Sequence, residues 1–585
     1  MHVRSTALTE ESRTSALAAM SDDEGVDVLV VGGGVTGAGI ALDAATRGLR
    51  TAVVEMQDWS GGTSSRSSKL VHGGLRYLYQ LDFKLVAEAL RERGRLLRTT
   101  APHLVSAQPF LWPLKTPVIE RAYSAVGVGM YDALSILGSR GRSVPIQKHY
   151  SKAGALAVFP QMKPESLVGA IRYYDARVDD ARLVLALVRT AVGYGALAAS
   201  RAQVTDMTKD VTGRVVGANV VDLETGATHQ IRARHVINAT GVWTEQTEAL
   251  GSAGGGLEVL ASKGVHIVVP RERINGETGL FLRTEKSVLF VIPWDRYWII
   301  GTTDTPWHEA RQHPVATRED VDYILQHANA VLEPAITRDD IIGVYAGLRP
   351  LLQPGTKDDG GSSTKVSREH TVTEAAPGLT VIAGGKLTTY RQMAEDAVDF
   401  ALGARAKDRP SITARTPLVG AEGFTAARRR REDIAVRRGW TAERVDHLLG
   451  RYGSEITTIL EMIDADPALG RVLEGADAYL AAEVTFAVTH EGAAHLEDIL
   501  LHRIRLSYET RDRGLSALEE IAAVAAPILG WDEARTAEEI AAYRRLAEAE
   551  IAAEHERDDP AAEAARLRAA DLVPVRDLGP IDPAD

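Results

Sequence analysis

The chain has 585 residues and no cysteine. That excludes disulfides, thiolate-ligated zinc or iron–sulfur clusters, a cysteine nucleophile and a flavin tethered through sulfur. No window reaches the roughly 18 consecutive apolar residues that a spanning helix needs. Positive charge is in deficit, 67 Lys and Arg against 79 Asp and Glu, and the net charge of −12 argues against nucleic acid as a partner. Residues 1–25 lack the apolar core of a signal peptide and carry Glu10, Glu11, Asp22, Asp23 and Glu24, so they read as a disordered extension. No metal-ligand spacing and no Ser–His–Asp set in a nucleophile elbow are found.

What is present is a strand running into glycine, Asp27-Val-Leu-Val-Val-Gly-Gly-Gly-Val-Thr-Gly, followed by a second apolar strand, Thr51-Ala-Val-Val, that ends on Glu55. Gly32, Gly34 and Gly37 give the G-x-G-x-x-G spacing of a dinucleotide fingerprint. In that motif the first glycine makes the turn, the second admits a pyrophosphate and the third lets helix pack on strand. The helix start offers free N–H groups to phosphate, and the acid suits a ribose.

The fingerprint serves NAD and FAD alike. Later segments decide for FAD, whose flavin end needs cover from distant parts of the chain. Asn238-Ala-Thr-Gly241 and Ala383-Gly-Gly-Lys386 both end apolar strands on small residues. The expected fold is α/β: a doubly wound, Rossmann-type FAD-binding domain, an antiparallel-sheet substrate domain and a C-terminal all-helical domain. The boundaries expected are 26–110 with 160–250 and 371–410 for the first, 251–370 with 111–159 for the second, 415–548 for the third, and a loose charged tail over 549–585. The run Arg428-Arg-Arg-Arg431 reads as a solvated helix face.

Several stretches are similar in sequence to FAD-dependent glycerol-3-phosphate dehydrogenase of the aerobic, membrane-associated type. They include GTSSRSSKLVHGGLRYL (62–78), YYDARVDDARLVLA (173–186), NATGVW (238–243), SKGVHIVVP (262–270), GTTDT (301–305), YAGLRPLL (345–352), SREH (367–370) and GGKLTTYR (384–391). The resemblance covers about residues 26–545. It implies oxidation of sn-glycerol 3-phosphate to dihydroxyacetone phosphate, with hydride passing from C2 to flavin N5 and electrons onward to a membrane quinone. It also implies a cytoplasmic protein held peripherally on the inner face of the cell membrane, and it is compatible with a homodimer. The alternatives are an oxidase using oxygen and a non-catalytic FAD-binding scaffold.

A phosphorylated substrate calls for fixed positive charge, which arginine supplies in bidentate form. Arg76, Arg349, Arg368 and Lys386 are the candidates, with Tyr77 as a hydrogen-bonding neighbour whose alternative is packing. Alcohol oxidation needs a proton acceptor, and histidine is the usual group near neutral pH. Of 16 histidines, His266 is the candidate base, aided by Arg349, and His72 the candidate for positioning the flavin. The resemblance places Thr63, Ser64, Ser68 and Lys69 along the ribityl chain and flavin, Gly241 at a close backbone approach, and Leu387 and Thr388 at the flavin O2 edge. For membrane contact the candidate is Phe110–Leu137 with Trp112, Tyr123, Met130, Lys115, Arg121, Arg140 and Arg142, against the alternative of a buried helix.

Overall fold

The computed structural model describes residues 5–74, 82–116, 119–138, 143–252, 257–284, 288–352 and 370–577. Its first sheet is built on β1 (Val26–Val31), β2 (Thr51–Val54), Leu379–Ala383 and the apolar C-terminal end of the longer strand Thr228–Asn238. They run parallel, with Val30 opposite both Val53 and Ile237, and Leu197–Ala199 extends the sheet beyond β2. Both faces of β1 are buried, as the unbroken Val/Leu run requires. The helices Val35–Thr46, Asp180–Gly193 and Tyr390–Leu402 cover one face around Ile40, Val184 and Ala394.

The N-terminal expectation is corrected. Residues 10–20 form a helix, begun by a reciprocal cap in which Thr9 Oγ1 accepts from Ser12 N at 3.0 Å and Ser12 Oγ accepts from Thr9 N at 2.8 Å. Its Ala16, Leu17 and Met20 are buried with Leu29 and Val31, and Arg13 pairs with Asp222. Three apolar side chains on one face outweigh the acidic flanks.

Among the described residues the second sheet has ten strands. Val259–Pro270 pairs antiparallel with Tyr297–Gly301 on one side and Gly343–Leu352 on the other, which sets His266 opposite Gly301 and Tyr345. Gly169–Val178 and Leu70–Val71 lie outside the range expected for this sheet, and Val105–Leu114 straddles its boundary at residue 111. Val105–Leu114 and Gly169–Val178 pair along ten residues, and Ile171 and Tyr173 fill an aromatic core with Phe110, Trp112 and Phe281. The first part of the candidate membrane segment is therefore core: Trp112 is 2% exposed and meets Phe281 edge-to-face at 5.3 Å. Helix Ile119–Gly138 follows and leaves Met130 exposed. Arg140 and Arg142 lie outside the described residues.

The C-terminal region from Phe424 is largely helical, around Ile456, Phe486, Leu500 and Ile521. The arginine run lies on its exposed surface, with Arg431 on Asp446 at 2.6 Å and Arg438 on Asp464 at 2.7 Å. The loose tail is also corrected. Helices Glu533–Ala553 and Asp559–Arg566 bury Ala553, Ala562 and Ala565 against Val242, Trp307 and Leu348, and Asp559 pairs with the buried Lys263. Alanine spacing supplies the apolar face that the charge content conceals. Among the described residues no helix is long and apolar enough to cross a membrane.

Candidate active site

The carboxyl ends of the four parallel strands open onto one cavity of about 240 Å³. Its wall contains Gly32, Gly34, Glu55, Gly241, Gly384 and Gly385, the residues immediately following those strands. Open α/β sheets bind ligands at this edge. Gly32 has φ +108°, and a Cβ there would lie 2.7 Å from Ala239 O. A Cβ on Gly37 would overlap Gly32 O, so these positions require glycine by space. At Gly241 (φ +61°) a Cβ would meet nothing within 4 Å. Half-buried Glu55 accepts from Gly33 N at 2.5 Å and Gln57 N at 2.8 Å, and desolvation raises its pKa. It thereby braces the glycine turn as well as lining the cavity.

Helix Val35–Thr46 begins at Gly34, which has no side chain to cap it. Ser64 does so from outside, its Oγ accepting from Val35 N at 2.9 Å. Ser64 and Thr63 both line the cavity, and Thr63 Oγ1 donates to Leu348 O at 2.6 Å. Lys69 departs from its expected place. It lines neither this cavity nor the next, but is buried with Nζ 2.8 Å from Asp180 and 3.0 Å from Ser65 O. A buried ammonium needs these partners, and they draw it away from the cleft.

A second cavity, of about 260 Å³, lies against the antiparallel sheet and shares Thr63, Ser67, Pro350, Gly384, Gly385, Lys386 and Leu387 with the first. The two form one elongated cleft. The second is lined by His72, His266, Arg349, Lys386, Ser68, Leu387 and Thr388. His72 is fixed at its backbone, where its N–H donates to Thr388 Oγ1 at 3.0 Å. Leu387–Thr389 is a short turn leading into helix Tyr390–Leu402, so this wall also carries a helix start.

His266 is 2% exposed and stacks on the Tyr345 ring at 4.8 Å. Its Nε2 lies 2.8 Å from Ser68 Oγ, while Nδ1 is sealed and, among the described residues, has no partner. Burial first, then the positive charges of Arg349 and Lys69, push its pKa well below the usual histidine value. Arg349 is held by Thr302 Oγ1 at 2.8 Å and Thr303 O at 3.1 Å, with Asp304 at 3.4 Å and 30% of its side chain exposed. The cleft thus brings together a neutral imidazole, a fixed guanidinium and an ammonium. Arg76, Tyr77 and Arg368 lie outside the described residues.

Asp175, Thr302 and Asp304 also line the second cavity; each lies in a stretch that resembles the family, but none was named as a site residue. Asp175 could have been read from its alternation with Tyr173 on an otherwise apolar strand. Thr302 and Asp304 fall within GTTDT (301–305), one of the stretches that carry the resemblance, but no role was assigned to either.

The apolar-strand glycines, the elongated cleft and the helix start capped only by a serine from outside fit a dinucleotide with an attached ring system. Comparisons agree. The family of FAD dependent oxidoreductases matches residues 27–391, and the C-terminal domain of alpha-glycerophosphate oxidase matches residues 411–536. Glycerol-3-phosphate dehydrogenase 2 of Mycobacterium tuberculosis (strain ATCC 25618 / H37Rv) is 50% identical over 547 residues, 93% of this chain and 92% of that protein. The mitochondrial glycerol-3-phosphate dehydrogenase of Homo sapiens is 35% identical over 556 residues, 92% of this chain and 75% of its own. The crystal structure of glycerol-3-phosphate dehydrogenase from Bacillus halodurans complexed with FAD superposes with a TM-score of 0.72 at 30% identity, covering 91% of this chain and 96% of that one.

Proposed function

Because the chain belongs to the FAD-dependent glycerol-3-phosphate dehydrogenases, we propose that it oxidises sn-glycerol 3-phosphate to dihydroxyacetone phosphate and delivers the electrons to a membrane quinone. One observation carries the reading: the glycine-lined cavity and the cavity holding His266, Arg349 and Lys386 meet at Gly384–Leu387. Gly32, Gly34, Gly37, Glu55, Thr63, Ser64 and Gly241 would hold the dinucleotide, with His72, Leu387 and Thr388 beside the flavin. When bound, FAD supplies the hydride acceptor.

The chain's own residues do the rest. Arg349 and Lys386 bind the substrate phosphate. Arg349 is preset by Thr302 and Thr303, so little side-chain freedom is lost on binding. His266 takes the C2 hydroxyl proton at Nε2, since Nδ1 is sealed, with Ser68 Oγ beside it to hold or relay the proton. A depressed pKa keeps that imidazole neutral and able to accept. A dianionic phosphate on Arg349 cancels part of the field that depresses it, so substrate binding strengthens the base.

A quinone acceptor requires contact with a membrane surface, and peripheral docking on the inner face is part of the proposal. The exposed Met130 and Ile136 of helix Ile119–Gly138, with Ile146 beyond it, replace Trp112 as the apolar contacts. The experiment reduces the protein with substrate under anaerobic conditions, then adds ubiquinone or menaquinone in vesicles, or oxygen. Reoxidation by quinone at turnover rates supports the proposal. Fast reoxidation by oxygen with stoichiometric peroxide identifies an oxidase instead.

A further inference from the structure

Asp175 is a carboxylate in the wall of the second cavity that the reaction above leaves unused. It sits on the strand Gly169–Val178 and is 3% exposed. Among the described residues every side-chain hydrogen bond it makes ends on Oδ1. Arg93 Nη1 donates at 2.6 Å, Gly73 N donates at 3.3 Å and Tyr131 Oη–H also donates there. Gly73 N is shared with Tyr131 Oη at 2.8 Å, and Arg93 is braced by Ser135 Oγ at 2.9 Å. Among the described residues no donor meets Oδ2. One oxygen is thus locked from behind, while the other belongs to a group that faces the cavity.

The surroundings make that oxygen demanding. Tyr173, Phe281 and Phe290 line the same cavity and give it an aromatic stretch of wall. Burial pushes the Asp175 carboxyl up, and the Arg93 guanidinium opposes that by pairing with it. A buried acceptor without a donor is costly, so a ligand that brings a hydroxyl is favoured over one that does not.

We propose that Asp175 is a substrate-recognition residue: its Oδ2 accepts a hydrogen bond from the terminal C1 hydroxyl, the one group of glycerol 3-phosphate that neither the base nor the phosphate pocket engages. This rests on the reading of the cleft as a glycerol-3-phosphate site. It assigns selectivity for a phosphorylated diol over a phosphorylated mono-alcohol to one carboxylate oxygen. His266 and Arg349 cannot provide that distinction, since both substrates carry the C2 hydroxyl and the phosphate.

The test compares glycerol 3-phosphate with propane-1,2-diol 1-phosphate, which lacks only the terminal hydroxyl, following flavin reduction anaerobically. The wild-type protein should prefer the full substrate by at least about ten-fold in kcat/KM, the size of one hydrogen bond to a charged group. Asp175→Asn should lower kcat/KM for glycerol 3-phosphate and leave the deoxy analogue nearly unchanged, so that the preference collapses toward unity. Tyr131→Phe removes one Oδ1 partner without touching Oδ2, and should keep the preference even where both rates fall. Should Asp175→Asn fail to retain FAD, Asp175→Glu keeps the charge on Arg93 while displacing Oδ2, and should lose the preference. A wild-type preference near unity overturns the proposal without any variant, as does a folded, FAD-loaded Asp175 variant that keeps it. If the wild type reduces its flavin with neither compound, the dehydrogenase reading itself has failed; full-rate reduction by both leaves that reading standing and removes only the role of Asp175.

Discussion

Gly37→Ala is the sharpest probe of the cofactor cradle. The added methyl would overlap Gly32 O and lie 2.9 Å from the Gly32 carbonyl carbon. Both are backbone atoms of the turn that lines the first cavity, and no side chain can rotate to make room. Either the helix Val35–Thr46 retreats or the turn at Gly32 moves, and Gly32 is already confined by Ala239 O behind it. Overpacking of this kind costs about 1–3 kcal/mol. If it falls on the holo form it lowers FAD affinity by roughly 5- to 150-fold, at about 1.4 kcal/mol per decade. Saturating FAD at about 1,000 times its Kd stabilises a protein by about 4 kcal/mol, so the variant should show a much smaller rise in Tm on adding FAD. Gly213→Ala is the control. Gly213 has φ +83° with nothing within 4 Å of a Cβ, in a hairpin away from the cleft. It should cost about 1–2 kcal/mol of left-handed strain in overall stability and leave FAD affinity unchanged. The assay is FAD content after desalting, with Tm measured against added FAD. A Gly37→Ala protein that retains stoichiometric FAD and responds to it like Gly213→Ala would refute the reasoning.

Arg349→Met should lower kcat/KM for glycerol 3-phosphate about 10- to 150-fold, one charge-assisted contact, with FAD retained. It should also shift the acid limb of the pH profile upward, because removing the Arg349 charge relieves one cause of the depressed His266 pKa; an unmoved limb would show that His266 is not the titrating base. His495, held between Glu224 at 2.9 Å and Glu539 at 2.7 Å, has its pKa raised to about 9 against an ordinary 6.5. The folded state therefore binds the extra proton, and its stabilisation is complete below pH about 6.5 and fades as pH rises toward about 9. Wild type minus His495→Gln in urea-unfolding free energy should shrink over that window by an amount on the order of 3 kcal/mol, and a flat difference would contradict it. Trp112→Ser should cost about 3–5 kcal/mol, as for a large buried aromatic, so that dye-linked activity and vesicle binding fall together with stability; loss of vesicle binding alone would return Trp112 to the surface.

The cofactor half of the fold was legible because its signals are local and dense. Val26–Val31 must be buried on both faces, and Gly32 and Gly37 are the residues that the tight turn and the helix–strand contact demand. His266 was legible from strand alternation, though not its stacking on Tyr345, which depends on the register between two strands about 80 residues apart. The same lack of non-local information hid the pairing of Val105–Leu114 with Gly169–Val178, which decides between the two readings of Trp112 in favour of burial, in a strand and not a helix. Lys69 was misread for another reason. Its neighbours in sequence face the cleft, but Asp180 on a distant helix neutralises it in the interior. Residues 10–20 and 559–566 show how capping and alanine spacing order segments whose composition suggests loose chain.

The central claim is that this cleft reduces bound FAD at the expense of glycerol 3-phosphate. The most direct measurement is anaerobic stopped-flow mixing of the FAD-loaded protein with sn-glycerol 3-phosphate, following flavin absorbance near 450 nm. The expected result is saturable bleaching, with one dihydroxyacetone phosphate formed per flavin and a strong reduction in rate for Arg349→Met. Flavin that stays oxidised in the presence of saturating substrate, in a protein that holds FAD stoichiometrically, would contradict it.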